Sequence, residues 1–376
     1  MEPLAKYYIG IMTGTSMDAI DVVIARFDEV PEVIIETSTP LHPVLRKILM
    51  DLATKEEMNI DLFVQTHFDL AKEYSKAVAL AITKAGLKKS DISAIGLHGQ
   101  TIRHLPKEGA TFQLGSGAAL AAMSGIDVVS DFRSADIALG GEGAPLIPMF
   151  DYRFLRSNDR NRILLNIGGI ANLTFIPADA FEDDVMAFDT GPGNMIIDNL
   201  AQEFFNIPFD ENGSFAAEGD IDEELLEQLL RNQYFKKAPP KSAGREDFGE
   251  KILSIFREKI LPGKLFPDDA LTTATEFTAR SIAQAISFLP INDSYPTEII
   301  ASGGGVKNLF LCNRIKTLLP KTEFQISDEI EIPSQAKEAL AFAWFAKAFL
   351  EDEYIHLPKT TGASRKVILG SLSKGK

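Results

Sequence analysis

Asp189 ends a short apolar run, Val185 to Phe188, and is followed by Thr190-Gly191-Pro192-Gly193. A carboxylate at a strand end beside a glycine turn stands where α/β proteins place ligands, and there it can act as a general base. The next helix, from about Met195, has Asn194 as its expected N-cap, so Asp189 is not needed for capping. The other reading of Asp189 is an Asx-turn residue that holds its own loop. Glu338 heads a helix on which Phe342, Phe345 and Phe349 follow at spacings of four, seven and eleven. All four share one face, so the acid is expected to be partly buried; a favourable charge near a helix N-terminus is the alternative. Arg133 and Asp136 stand in DFRSAD, just before Gly140-Gly141-Glu142-Gly143. Arginine can grip a carboxylate through two parallel hydrogen bonds, and a structural Arg–Asp pair is the rival. His98 and Gln100 follow an apolar strand, where a lone histidine is more often structural. Asp18 and Asp21 supply hard oxygens suited to Mg²⁺, although Asp21 alternates with Ile20 and Val22 as on a solvated strand face.

Three glycine-rich turns each follow a strand: Gly14-Thr15-Ser16-Met17-Asp18, Asn166-Ile167-Gly168-Gly169-Ile170-Ala171-Asn172 and Ser302-Gly303-Gly304-Gly305-Val306-Lys307-Asn308. Glycine lets backbone N–H groups approach a phosphate, and hydroxyls add donors. One such turn is ordinary; three in one α/β chain favour a nucleotide cleft. There is no G-x-x-x-x-G-K-[ST] loop. Gly115-Ser116-Gly117 opens a helix of small residues, but Leu120 stands where a dinucleotide fingerprint needs a third glycine.

The elements that must carry these groups alternate between strand and helix, which argues for an α/β architecture. Tyr7 to Glu29 and Arg162 to Phe181 share a layout: apolar strand, small-residue turn, apolar strand. A third strand follows each, Val33 to Glu36 and Val185 to Phe188. Internal duplication and a chance pair of hairpins are equal readings of this pattern. Asp61 to Ala85 is an amphipathic helix stopped by Gly86, and Ile92 to Leu97 is a strand. Thr273-x-x-Glu276 has the form of a capping box opening a helix to about Phe288. Thr297 to Ala301 is a strand, and Pro333-Ser334 opens a last helix to about Leu350. Lys236 to Arg245 is the most loop-like stretch. The expected division is 1–135 and 136–355, with 356–376 a candidate to complete the first domain.

With 376 residues, the chain is long enough for two packed domains. Its net charge of −15 argues against nucleic acid and anionic membranes as main partners. The single cysteine, Cys312, allows no intrachain disulfide, and the five histidines show no zinc spacing. No signal-peptide pattern and no apolar run of membrane-spanning length occur, which gives a cytoplasmic expectation.

Together these residues resemble the actin/hexokinase/Hsp70 superfamily and, within it, the anhydro-N-acetylmuramic acid kinase family. The resemblance runs from Ile9 to about Ala346. It rests on GIMTGTSMDAIDVV, LHGQTIRH, DFRSADIALGGEGAPL, NIGGIANLTF, FDTGPGNMIID, SGGGVKN and EALAFAWFA, seven segments in order. It implies two duplicated actin/hexokinase-like (ribonuclease H-like) domains with a nucleotide cleft between them. It further implies ATP and Mg²⁺, a small-molecule sugar substrate, and opening of a 1,6-anhydro ring by water with phosphorylation of O6; a homodimer is a candidate assembly. The implied ATP contacts are Gly14, Thr15, Ser16, Met17, Asp18, Ala19, Ile20, Asp21, Asn166, Gly168, Gly169, Asn172, Gly303, Gly304, Gly305 and Asn308. Asp189 becomes the catalytic base. His98, Gln100, Arg133, Asp136 and Glu338 become sugar-binding candidates, with Arg133 on the lactyl carboxylate, and Asp18 and Asp21 the metal candidates. The sequence departs from the family pattern at Ala19, where glycine is usual, and at Ser116, where an acid often follows. Another hexose or amino-sugar kinase, or an actin/Hsp70-like ATPase, are the alternatives, and no peptide-binding extension favours the latter.

Overall fold

The computed structural model describes residues 7–14, 16–55 and 57–375, with the backbone only for Arg245 and Glu246. Thr15 therefore lies outside the described residues. The strands are β1 (Tyr7–Met12), β2 (Ala19–Phe27), β3 (Pro31–Pro40), β4 (Ile92–Leu97), β5 (Gln100–Leu105), β6 (Ala110–Leu114) and β7 (Val128–Ser130). They continue as β8 (Asn161–Ile167), β9 (Ile170–Ile176), β10 (Met186–Pro192), β11 (Thr297–Ser302), β12 (Thr322–Ile326) and β13 (Ser371–Ser373). The chain forms two compact units, one from residues up to Phe154 together with those from Ala336 onward, the other Leu155–Gln335. The expected boundaries at 135 and 355 both fall inside the first unit.

Each unit has one main sheet, in the orders β13-β7-β4-β1-β2-β3 and β10-β9-β8-β11-β12. In the first, β1, β2 and β3 are an antiparallel meander and β4 runs parallel to β1, with β7 parallel to β4. In the second, β8, β9 and β10 are the meander and β11 runs parallel to β8, with β12 parallel to β11. The order 3-2-1-4-7 thus repeats as 10-9-8-11-12 with the same strand directions. This settles the two hairpins as corresponding parts of one duplicated motif. The central strands are apolar on both faces, as helix-covered parallel strands must be: β11 is buried along its whole length.

Tertiary contacts explain where the elements begin and end. Asn59 caps helix Ile60–Lys84 by accepting from the Asp61 and Leu62 amides, and Gly86 beyond it has φ +68°. Helix Lys337–Leu350 lies directly on β1 and β4. Gly10 and Gly96 are opposed in the sheet, and a Cβ there would stand 1.7 Å from Ala339 O and 1.9 Å from Phe342 O respectively. Only hydrogen at both positions permits so close a helix.

Three expectations are corrected. The helix containing Thr273 and Glu276 begins six residues before Thr273, at Pro267, with proline at its first turn and Asp268 and Asp269 following. Glu276 is therefore no capping residue; it is fully buried and held by Arg280 (2.8 Å) and Arg314 (2.6 Å). The last long helix begins at Lys337 rather than at Pro333. Asp189 lies within β10, not beyond it, at a bulge between Asp189 and Gly191.

Candidate active site

In the second unit, three glycine loops meet at the carboxyl ends of β8 and β11, the edge where open α/β sheets bind ligands. The Gly168-Gly169 turn joins β8 to β9. Its carbonyls accept from the loop after β10: Asn194 N–H to Gly168 O at 2.8 Å, and the Gly193 and Met195 amides to Gly169 O at 2.9 and 3.2 Å. Asn194 stands at the N-cap position, as expected, but its side chain makes no cap; Nδ2 donates to Ile167 O instead. The third loop adds Gly303, at φ +87°, which Asn166 and Ile167 approach too closely for any side chain. Asn308 ends this loop, and its oxygen is used to cap helix Leu309–Leu318 at the Leu311 amide.

Glycines in these loops fall into two kinds. Gly193 and Gly303 are fixed by contact with their own protein. Gly169 and Gly304 have ordinary φ, and a Cβ on them would meet nothing nearer than 3.9 and 3.7 Å. In the first unit, Gly14 is like these two, with Ser16 Oγ at 3.9 Å its nearest neighbour. Among the described residues nothing demands glycine at Gly14, Gly169 or Gly304; close approach of an external group would.

Asp189 is held tightly. Its carboxylate oxygen Oδ2 accepts from Ala243 N–H at 2.8 Å, its own N–H donates to Lys241 O at 3.1 Å, and its carbonyl accepts from the Tyr234 hydroxyl at 2.7 Å. Burial, Asp189 and Asp247 push the Tyr234 phenol upward, so it stays a donor. Lys241 and Ala243 come from the loop-like stretch Lys236 to Arg245 and Tyr234 from just before it, and nothing in the sequence marks them as partners of Asp189. Tyr234 and Lys241 lie 45 and 52 positions beyond it, and no spacing rule links them.

The first unit gathers most of the other candidates. His98 is buried; Nδ1 pairs with Gly99 O at 2.7 Å, and Nε2 accepts from Arg133 Nη2 at 2.8 Å and Nε at 3.2 Å. Burial and then the Arg133 charge lower the ring to about 3, so it is a neutral acceptor. Arg133 Nη1 donates to Gly143 O at 2.6 Å. Burial lowers the guanidinium to about 10 while Glu338 and Asp136 sustain it, so it stays charged. Glu338 lies beside it. Burial raises this carboxyl, the Arg133 and Lys337 charges work against the rise, and Asp21 adds to it. Phe342 packs on the His98 ring at 4.9 Å and on Phe345 at 5.2 Å, so the expected aromatic face forms. Gln100 is buried, and its Oε1 has no hydrogen-bond partner.

Asp136 belongs behind this group rather than at its surface. It has no exposed area, and its oxygens accept from Gly143 N–H, the Thr361 hydroxyl and His356 Nε2. Burial would raise its carboxyl, but these hydrogen bonds outweigh it and hold it low. The expectation that Asp136 touches substrate is therefore corrected: it shapes the turn whose Gly143 carbonyl receives Arg133.

Among the described residues, no group of three or more His, Cys, Asp or Glu side chains is assembled to hold a metal. Asp18 pairs with Arg46 at 2.5 Å. Asp21 differs: burial raises its carboxyl and a hydrogen bond from Ser38 offsets part of that, the condition of an acid suited to a cation. Ala19 opens β2 opposite Pro40 with no positive φ, so glycine is not required there. Ser116 caps helix Gly117–Ser124 through the Ala119 amide at 3.2 Å. No described helix is long and apolar enough to cross a membrane.

The family model for anhydro-N-acetylmuramic acid kinase matches residues 6–375. The chain is 40% identical over 370 residues to the anhydro-N-acetylmuramic acid kinase of Coxiella burnetii (strain RSA 493 / Nine Mile phase I), covering 98% of this chain and 97% of the relative. It is 38% identical over 381 residues to that of Clostridioides difficile (strain 630), covering 98% of both. The corresponding protein of Shewanella amazonensis is 40% identical over 367 residues, with 97% of both chains covered. With a match along nearly its whole length, the chain is an enzyme of the anhydro-N-acetylmuramic acid kinase family.

Proposed function

We propose that the enzyme converts 1,6-anhydro-N-acetylmuramic acid, ATP and water into N-acetylmuramic acid 6-phosphate and ADP, as a cytoplasmic step in peptidoglycan recycling. One observation carries the nucleotide part: each of three strand-end loops keeps a glycine, Gly14, Gly169 and Gly304, that the protein's own packing does not require. Backbone amides at such places can cradle phosphate oxygens. In this reading Gly14–Asp21, Asn166–Asn172 and Gly303–Gly305 contact ATP, with Asn308 holding the third loop through the helix it caps.

Asp189 is the base in this reading. It takes a proton from water as the water oxygen bonds to C1 of the sugar. The C1–O6 bond breaks, its electron pair goes to O6, and O6 attacks the γ-phosphorus while the bond to the ADP oxygen breaks. Each turn of the loops around Asp189 is tied to the next by hydrogen bonds, so the base and the phosphate cradle keep one geometry, which is where phosphoryl transfer gains most. Arg133 has five N–H donors and spends three on His98 and Gly143. One remains on each Nη, a fork suited to the lactyl carboxylate. Gln100 Oε1 offers an unspent acceptor and Glu338 a second acid for sugar hydroxyls. Mg²⁺ held at Asp21, with Asp18 set aside by Arg46, would neutralise phosphate charge.

ADP release measured across anhydro-muramic acid, muramic acid, glucosamine derivatives and no sugar tests the substrate; equal rates on a free reducing hexose would sink it. Asp189→Asn keeps the shape and removes basicity. Ring opening and ADP release should fall together by several orders of magnitude, beyond the roughly 10²–10⁴-fold usual for general-base help. A variant that opens the ring normally but cannot phosphorylate would show that Asp189 does not activate water.

A further inference from the structure

Lys241 lies outside every motif of the sequence, yet its ammonium sits over three aromatic rings. The distances to the ring centres are 4.8 Å for Tyr234, 5.0 Å for Phe288 and 5.8 Å for Phe188, all within cation–π range. Nζ also donates to Tyr234 O at 3.4 Å. The rings come from three places: Phe188 from β10, Tyr234 from the short turn Gln233–Lys236, and Phe288 from just beyond helix Pro267–Ile286. The lysine thus ties its loop to three separate elements.

The same loop grips Asp189. The carbonyl of Lys241 accepts the Asp189 amide, and two residues on, Ala243 N–H donates to Oδ2 of the carboxylate. Tyr234 takes part in both arrangements, with its ring under the ammonium and its hydroxyl on the Asp189 carbonyl. Phe188, the residue before Asp189, is another wall. A cation here therefore sits on the strip of chain whose Ala243 N–H donates to the Asp189 carboxylate.

We propose that Lys241 is a positioning residue: its aromatic box clamps the 241–243 strip so that Ala243 N–H fixes the orientation of the Asp189 carboxylate for proton transfer. This rests on the reading of Asp189 as the base. Lys241 acts through Asp189 and does not meet either substrate.

The test uses the full-length enzyme and steady-state kinetics. Lys241→Met keeps length and loses charge; it should lower kcat roughly tenfold, the scale of one desolvated cation–π contact, with KM for ATP and for the anhydro sugar within about twofold. Lys241→Arg keeps a cation over the rings and should restore most of kcat. Phe288→Leu removes one wall without touching the strip and should lower kcat in part; it decides the matter if Lys241→Met does not fold. An unchanged kcat in Lys241→Met, a rise in KM alone, or an arginine no better than methionine would overturn the proposal. Asp189→Asn run alongside separates the two ideas. If that variant stays active, the reading of Asp189 itself fails; if it is dead while Lys241→Met is fully active, only the positioning role fails.

Discussion

Alanine substitutions in two hydrogen-bonded loops should move stability in opposite directions. Gly169 is exposed, has ordinary φ, and its nearest would-be neighbour is Met195 Cβ at 3.9 Å. Gly169→Ala therefore fits the fold and restricts the unfolded chain, a gain of about 0.4–1 kcal/mol. If ATP phosphate lies against this amide, the added methyl collides with it, and affinity should fall by roughly tenfold or more, about 1.4 kcal/mol per decade. Gly193 is the opposite. Its Cβ would stand 2.1 Å from Gly168 O and 3.2 Å from Ala171 N. The loops must part, which disturbs the Gly193–Gly169 and Asn194–Gly168 hydrogen bonds. Two such bonds are worth about 1–3 kcal/mol and overpacking about 1–3 kcal/mol, so Gly193→Ala should lose about 2–6 kcal/mol. Urea unfolding and calorimetric ATP titration of both variants give the four numbers needed. Normal ATP binding by a well-folded Gly169→Ala protein would refute the idea that this glycine is kept for the nucleotide. Wild-type stability in Gly193→Ala would refute the contact argument used to sort the two kinds.

Three further outcomes follow from the same structure. Gly14→Val should fold normally, since Gly14 faces open space, yet bind ATP weakly by calorimetry; wild-type binding would remove that loop from the phosphates. Arg133→Ala should raise KM for the muramic substrate far more than for a matched sugar lacking the lactyl acid, and equal losses on both would make Arg133 structural. His98 has a folded value of about 3 against an unfolded value near ~6.5. Between those values the unfolded chain binds the extra proton, so stability falls with falling pH by up to ~1.4 kcal/mol per unit. Urea midpoints from pH 7 to 4.5 should decline less steeply for His98→Asn than for wild type; matching slopes would mean that His98 is not held neutral.

Local pattern was a good guide wherever local chemistry decides the structure. The strand–turn–strand segments, the helix read as Asp61 to Ala85 and the strand before Ser302 are visible because apolar periodicity and glycine stops act over a few residues. The three glycine turns stand out for the same reason. The sequence could not say which glycines the fold itself requires, because that depends on neighbours such as Gly168 O and Ile167 from other loops. Thr273 and Glu276 matched a capping box by spacing, but proline at 267 starts the helix earlier and two distant arginines make Glu276 an interior residue. Asp136 looked like Arg133's partner because both stand in one motif. Besides nearby Gly143, its partners are His356 and Thr361, 220 and 225 residues away.

The first unit is assembled from both ends of the chain, and this sets an order of events during synthesis. Its sheet gains β13 only at Ser371–Ser373, and the central strands β1 and β4 receive their covering helix only at Lys337–Leu350. Until those residues leave the ribosome, the face of β1 and β4 that carries Gly10 and Gly96 has no covering helix, while Ile9, Ile11 and Ile95 on the other face already pack with helix Ile60–Lys84. The second unit, made of one uninterrupted stretch, is complete first. Domains that emerge as units fold as units, so the part of the enzyme translated earliest must wait for the part translated last. A nascent chain that has emerged only as far as about residue 336 would carry a finished second unit and an open sheet, and would depend on chaperone cover.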